Sequence, residues 1–201
     1  MSFTIGKTKY TVTFLFCALS ACLIAFDKQL IFKTFLMVCA HEGAHLFAMK
    51  GCGIQVDAVS LEPFGIIIKK TGSAKTLPRR LLIICAGCAA NLCLAVLFFL
   101  LYVLWQKSVF LHLSAINISL LLINALPVLG LDGGQALYEI LRFKKSEEFA
   151  VSTVKIISFT TATVLFIAGM IICFKVRFNP SICLLALFLL VQTALNRMKY
   201  D

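Results

Sequence analysis

Apolar residues gather into six runs separated by short polar segments, at roughly residues 10–26, 30–49, 81–105, 110–127, 151–174 and 180–195. Each comes near the length that crosses about 30 Å of hydrocarbon, with the first and last on the short side. Backbone groups in lipid have no water to bond, so runs of this kind are helices. The pattern therefore predicts an all-α polytopic membrane protein of about six transmembrane helices. The first run admits a second reading. Lys7 and Lys9 precede it and Leu19-Ser20-Ala21-Cys22 resembles a lipoprotein cleavage box. Leu23 to Phe26 carry the apolar run past the cysteine, which favours a retained helix.

Between the second and third runs the period changes. Ile54 to Ser60 alternates imperfectly, Glu62-Pro63-Phe64-Gly65 supplies turn residues, and Ile66-Ile67-Ile68 is β-branched. This predicts a small membrane-associated β-hairpin, with an amphipathic loop as the plainer alternative. A short helix is expected over Gly133 to Phe143, ending in Arg142, Lys144 and Lys145. No repeat or low-complexity linker divides the chain, so residues 1–201 are expected to form one domain.

Composition strengthens the membrane reading. Hydrophobic residues make up 61% of the 201 and charged residues 14%, with a mean hydropathy of +0.98. One core of this size cannot hide that much apolar surface, and lipid must cover the remainder. The net charge of +10 changes the picture only through its placement. Basic residues sit in short segments between runs, without a long tract interleaved with aromatics, so nucleic acid is not the expected partner. With the N-terminus cytoplasmic, only Lys28, Lys33, Lys107, Lys175 and Arg177 of the 19 basic residues fall outside. The positive-inside rule then places both termini in the cytoplasm. Nine cysteines is an odd count, and most lie inside apolar runs as small hydrophobes. Cys85-Ala86-Gly87-Cys88 has redox spacing in the wrong setting for an exposed reactive turn.

The second run contains His41-Glu42-Gly43-Ala44-His45. Histidines at i and i+4 share one helix face, which suits two imidazoles on one zinc, and Glu42 beside them can take a proton from the attacking water. Two histidines and a glutamate are expensive in lipid, so function is a better reading than polar glue between helices. A catalytic zinc needs a third protein ligand. His112 begins the fourth run near the far face and is an unsuitable supplier. Asp132 follows the fourth run in Asn124-Ala-Leu-Pro127-Val-Leu-Gly-Leu131-Asp132-Gly133-Gly134. There Pro127 breaks the helix and the glycine pair is expected to turn the chain. Depth agrees. His45 precedes the cytoplasmic end of its helix by about four residues, or roughly 6 Å, and Asp132 lies beyond the proline break on that same side.

These residues resemble the site-2 protease family of intramembrane zinc metalloproteases. The resemblance rests on His41-Glu42-Gly43-Ala44-His45 paired with Asn124-x-x-Pro127-x-x-x-Leu131-Asp132-Gly133. Weaker matches are Pro63-Phe64-Gly65 and Ala86-Gly87-Cys88-Ala89-Ala90-Asn91. Together they cover a core of about residues 30–145, and the short form looks most like the sporulation-factor-processing branch. The resemblance implies one Zn2+ per chain held by His41, His45 and Asp132, with Glu42 activating water and Asn124 stabilising the developing oxyanion. It implies a single-span transmembrane protein as substrate, probed in the lipid bilayer and received by strand addition on the hairpin.

Two departures from the family pattern stand out. Cys88 replaces a usual proline, and no PDZ module or nucleotide-binding extension is expected, so control is expected to come from a regulatory membrane protein or from trimming of the substrate. Two other readings remain open. A membrane zincin with a glutamate ligand would draw on Glu147-Glu148-Phe149-Ala150, but Val151 stands where an aspartate is needed. A non-catalytic membrane scaffold or pseudoprotease would keep the metal without the chemistry.

Overall fold

The computed structural model describes residues 2–5, 8–12, 28–62, 65–72, 74–175 and 181–195. In chain order these form β1 (Ser2–Ile5), β2 (Thr8–Val12), α1 (Lys28–Gly51), β3 (Gln55–Glu62) and β4 (Gly65–Thr71). There follow α2 (Leu77–Trp105), α3 (Ser108–Asn124), α4 (Asp132–Lys144), α5 (Glu147–Lys175) and α6 (Ser181–Leu195). The protein is mostly helical. By length and composition α1, α2 and α5 can each cross a membrane, and α3 and α6 hold shorter apolar stretches. The chain divides into two compact units, residues 1–121 and 122–201.

In the first unit α1 packs against α2. The start of α2 has an evident cause. Pro78 stands in the first turn, where its missing N–H costs nothing. The helix ends at Gln106, whose left-handed φ of 52° lets its N–H bond Tyr102 O at 2.7 Å. Every fourth residue of α2 from Ile83 is buried: Ile83, Gly87, Asn91 and Ala95. The opposite face exposes Leu92, Val96, Phe99, Leu100 and Val103. That division is inverted from a soluble protein, where small and polar residues seldom monopolise the interior, and it suits a helix with lipid on its outer side. Ser114 of α3 donates to Ala95 O at 2.9 Å and ties α3 to the end of this buried row.

The sheet is larger than the sequence led one to expect. β3 and β4 pair antiparallel, with an irregularity between Val56 and Ala58. β2 pairs parallel with β3 and antiparallel with β1, giving a four-stranded order β1-β2-β3-β4. Residues 10–12, assigned above to the first apolar helix, belong instead to strand β2. Tyr10-Thr11-Val12 is β-branched and aromatic, and pairing with β3 decides its state over its weak apolar character. Residues 13–27, the rest of that expected helix, and the Pro63-Phe64 link lie outside the described residues. A small cluster of Met49, Ile54, Ala74 and Ile83 seals the junction between the end of α1, the start of β3 and α2.

In the second unit α4 and α6 each pack on α5. Leu129, Tyr138, Ala150 and Val154 make one core cluster, and Val128, Ala162 and Leu189 another. The small residue Gly169 lets α6 approach closely, since a Cβ there would stand 2.9 Å from Cys183 N. α4 carries Asp132 in its first turn and Arg142 and Lys144 in its last, matching the helix dipole at both ends.

Candidate metal centre

His41 and His45 lie one turn apart on α1 and are buried, 4% and 7% exposed. Burial of this kind needs partners, and α2 supplies them. His45 Nδ1 lies 2.8 Å from Ile83 O. A carbonyl only accepts, so Nδ1 carries the proton and Nε2 of the neutral ring is left with a lone pair. His41 Nδ1 lies 2.9 Å from the side-chain amide of Asn91. Both outer nitrogens being held from α2, the two Nε2 atoms face each other at 3.3 Å. The rings meet edge to face, with centroids 4.9 Å apart.

Between these two anchors stands Gly87. A Cβ at this position would lie 2.5 Å from His41 Cε1 and 2.7 Å from His41 Nε2, and closer still to His45 Nε2. The rings therefore occupy the space a side chain would fill. Ile83, Gly87 and Asn91, at i, i+4 and i+8, form one rack on α2 that holds one ring, admits both, and holds the other. Along the sequence the Ala86–Asn91 run assigns no role to Gly87 or Asn91. An asparagine inside an otherwise apolar span was the available signal, because it is costly there unless bonded.

Glu42 follows His41 and is half-buried. Asn124 ends α3 and Asp132 begins α4. The loop between them is built by short backbone bonds, Val128 N to Leu126 O at 2.8 Å and Leu131 N to Val128 O at 3.0 Å. Its left-handed residue is Gly130, with φ of 89°. Gly133 and Gly134, expected to turn the chain, instead lie inside the first turn of α4. Their need for glycine is close approach: a Cβ on Gly133 would stand 2.5 Å from Leu126 O, and one on Gly134 2.5 Å from the Val128 carbonyl carbon. Ser158 of α5 clamps the loop from beneath, accepting from Leu129 N at 2.8 Å while donating to Val154 O at 2.7 Å.

One ligand atom each from His41, His45 and Asp132 lies within 4.8 Å of the others, a His–His–Asp group able to hold a metal ion. The remaining candidates stand elsewhere. His112 is exposed. Glu147 accepts from Tyr138 Oη at 3.2 Å and pairs with Arg142 at 3.4 Å. Cys85 is exposed and Cys88 half-buried.

Residues 29–114 match the profile of "Peptidase family M50", a segment that includes both histidines and the whole of α2. No curated protein matches the chain by sequence. Among solved structures, the chain is similar to "Site-2 Protease from Methanocaldococcus jannaschii", at 19% sequence identity and a TM-score of 0.74. The similarity covers 100% of this chain and 97% of that one. At that identity the likeness establishes a common fold, and the family match covers the histidine-bearing segment. The chain thus shares its fold with a site-2 protease, and its segment 29–114, with both histidines, is similar to peptidase family M50.

Proposed function

We propose that the chain is a zinc-dependent intramembrane endopeptidase that hydrolyses a peptide bond in the transmembrane segment of a single-span, regulatory membrane protein. The observation that carries this reading is the 3.3 Å separation of the two histidine Nε2 atoms. Two nitrogens on one tetrahedral zinc, with bonds of about 2.0–2.1 Å, stand about 3.4 Å apart. The donor set also fits: two neutral imidazoles and one carboxylate leave a fourth position open, as a catalytic zinc requires. Zinc in this place would polarise the scissile carbonyl and acidify a water at neutral pH.

The protein's own groups divide the remaining work. His41, His45 and Asp132 hold the metal. Glu42 takes the proton from the attacking water and passes it to the leaving amine. Asn124, at the end of α3, donates its amide to the oxygen that gains charge as the carbonyl is attacked. The substrate must unwind, because each carbonyl in a transmembrane helix is already bonded and wrapped by side chains. Strand β4 ends the sheet order, and an edge strand offers the unwound segment replacement partners. The positive-inside count sets both termini in the cytoplasm of a multi-pass protein, with the cut toward that side.

Replacing Glu42 with Gln tests the reading. The amide keeps the size and cannot accept the proton, so zinc stays at about one per chain while turnover with a co-expressed single-span substrate falls by about 100-fold or more. Near-normal turnover would remove Glu42 from its role. Zinc bound by the unmodified protein without any proteolysis would favour the non-catalytic scaffold. The substrate side has its own test. Leu in place of Gly or Pro near the cut should slow cleavage, since those residues weaken the helix. Equal rates would eliminate unwinding as the limiting step.

A further inference from the structure

The side chain of Asn91 is fully buried, 0% exposed, in the middle of a span otherwise lined with apolar residues. Its Nδ2 lies 2.9 Å from His41 Nδ1, and its Oδ1 has no hydrogen-bond partner. A buried amide with one satisfied and one orphaned end has two orientations, related by a half-turn that exchanges N and O in nearly the same positions. The two have opposite consequences for His41. With Nδ2 toward the ring, Nδ1 must be the acceptor, and the neutral ring carries its proton on Nε2. That proton then points at His45 Nε2, 3.3 Å away, and Nε2 has no lone pair to offer. With Oδ1 toward the ring, Nδ1–H is the donor and Nε2 is freed as a ligand.

We infer that Asn91 is a positioning residue for the metal centre: its Oδ1 accepts from Nδ1–H of His41 and so fixes the tautomer and ring orientation in which Nε2 binds the metal. The inference rests on the metal reading given above and names the support that the first histidine needs. It also makes the two histidines equivalent. His45 donates Nδ1–H to Ile83 O, His41 donates Nδ1–H to Asn91 Oδ1, and both supports come from one face of α2, two turns apart. Ligating histidines characteristically donate their other N–H to a carbonyl or carboxylate in this way, and removing such an acceptor costs about 10–100-fold in metal affinity. An asparagine performs this without adding a further carboxylate charge beside those of Asp132 and Glu42.

Two substitutions at position 91 separate the orientations. Asn91→Leu keeps the volume and removes both donor and acceptor. Asn91→Asp keeps only the acceptor. Zinc affinity of the purified full chain in detergent, measured by competition against a fluorescent chelator, should fall by about 10–100-fold for Asn91→Leu and stay within a few-fold of the unmodified protein for Asn91→Asp. Nitrogen-15 NMR of histidine-labelled, metal-free protein should show His41 protonated on Nδ1 in the unmodified chain and in Asn91→Asp and should lose that preference in Asn91→Leu, a signature that a purely structural role for Asn91 would not impose. Unchanged affinity in Asn91→Leu would overturn the inference, and so would an Asn91→Asp chain as weak as Asn91→Leu while the unmodified protein binds. If the unmodified protein itself holds no zinc, the metal reading fails first and takes this inference with it.

Discussion

His45 turns its Nδ1 toward the carbonyl of Ile83, 2.8 Å away on the neighbouring helix, and so presents Nε2 to His41. The arrangement makes α2 as much a part of the centre as α1. A histidine pair at i and i+4 shares a face by helix geometry alone. Whether its Nε2 atoms converge depends on what holds the far side of each ring.

The tightest test of that dependence is Gly87. Alanine in place of a helical glycine ordinarily stabilises by about 1 kcal/mol. At position 87 the new methyl would overlap both rings, and overpacking of this kind costs about 1–3 kcal/mol. Gly87→Ala should therefore lose metal and thermal stability together. Gly43→Ala is the control, since a Cβ there meets nothing within 4 Å. Metal content and thermal unfolding in detergent would check both, and a fully loaded Gly87→Ala chain would contradict the packing.

The third ligand has a matching pair of substitutions. Asp132→Ala should lower zinc affinity by more than the 10–100-fold expected of a supporting residue. Glu147→Ala and Glu148→Ala should leave it unchanged, because Glu147 is engaged by Arg142 and Tyr138. Burial pushes the Tyr138 phenol up from its ordinary range, so it remains a donor to Glu147 at neutral pH. Loss of zinc from either glutamate variant would move the assignment to the glutamate-ligated class.

Ser158 supports the loop from which α4 starts. Alanine there strips the Leu129 N–H of its acceptor, and an orphaned buried N–H costs about 1–3 kcal/mol. Ser158→Ala should lower the midpoint of unfolding. It should also reduce turnover, since Asn124 and Asp132 flank that loop. A variant with unchanged stability and turnover would show the loop to be held by its own turns.

Membrane orientation is testable without any substrate. Reporter fusions after residues 75 and 145 should report the cytoplasm and a fusion after residue 107 the outside, following the distribution of Lys and Arg. A reporter at 75 found outside would reverse the expected depth of the centre.

The sequence by itself determined the apolar helices and offered the candidate residues of the site. Helical runs are local: the segments expected at 30–49, 81–105, 151–174 and 180–195 correspond to α1, α2, α5 and α6 within a few residues, because lipid demands internal bonding over a fixed length. The His41–His45 spacing was legible for the same reason, being a matter of helical period. Tertiary structure decided what depends on distant partners. Residues 10–12 became a strand only through pairing with β3. Gly133 and Gly134 proved to serve close approach, a requirement set by the carbonyls of Leu126 and Val128 rather than by chain direction. Gly87 and Asn91 gained their meaning only when α2 was laid against α1. A side chain that acts by holding another has no period of its own along the chain. Its signal is a distance, and distances between helices are fixed by packing.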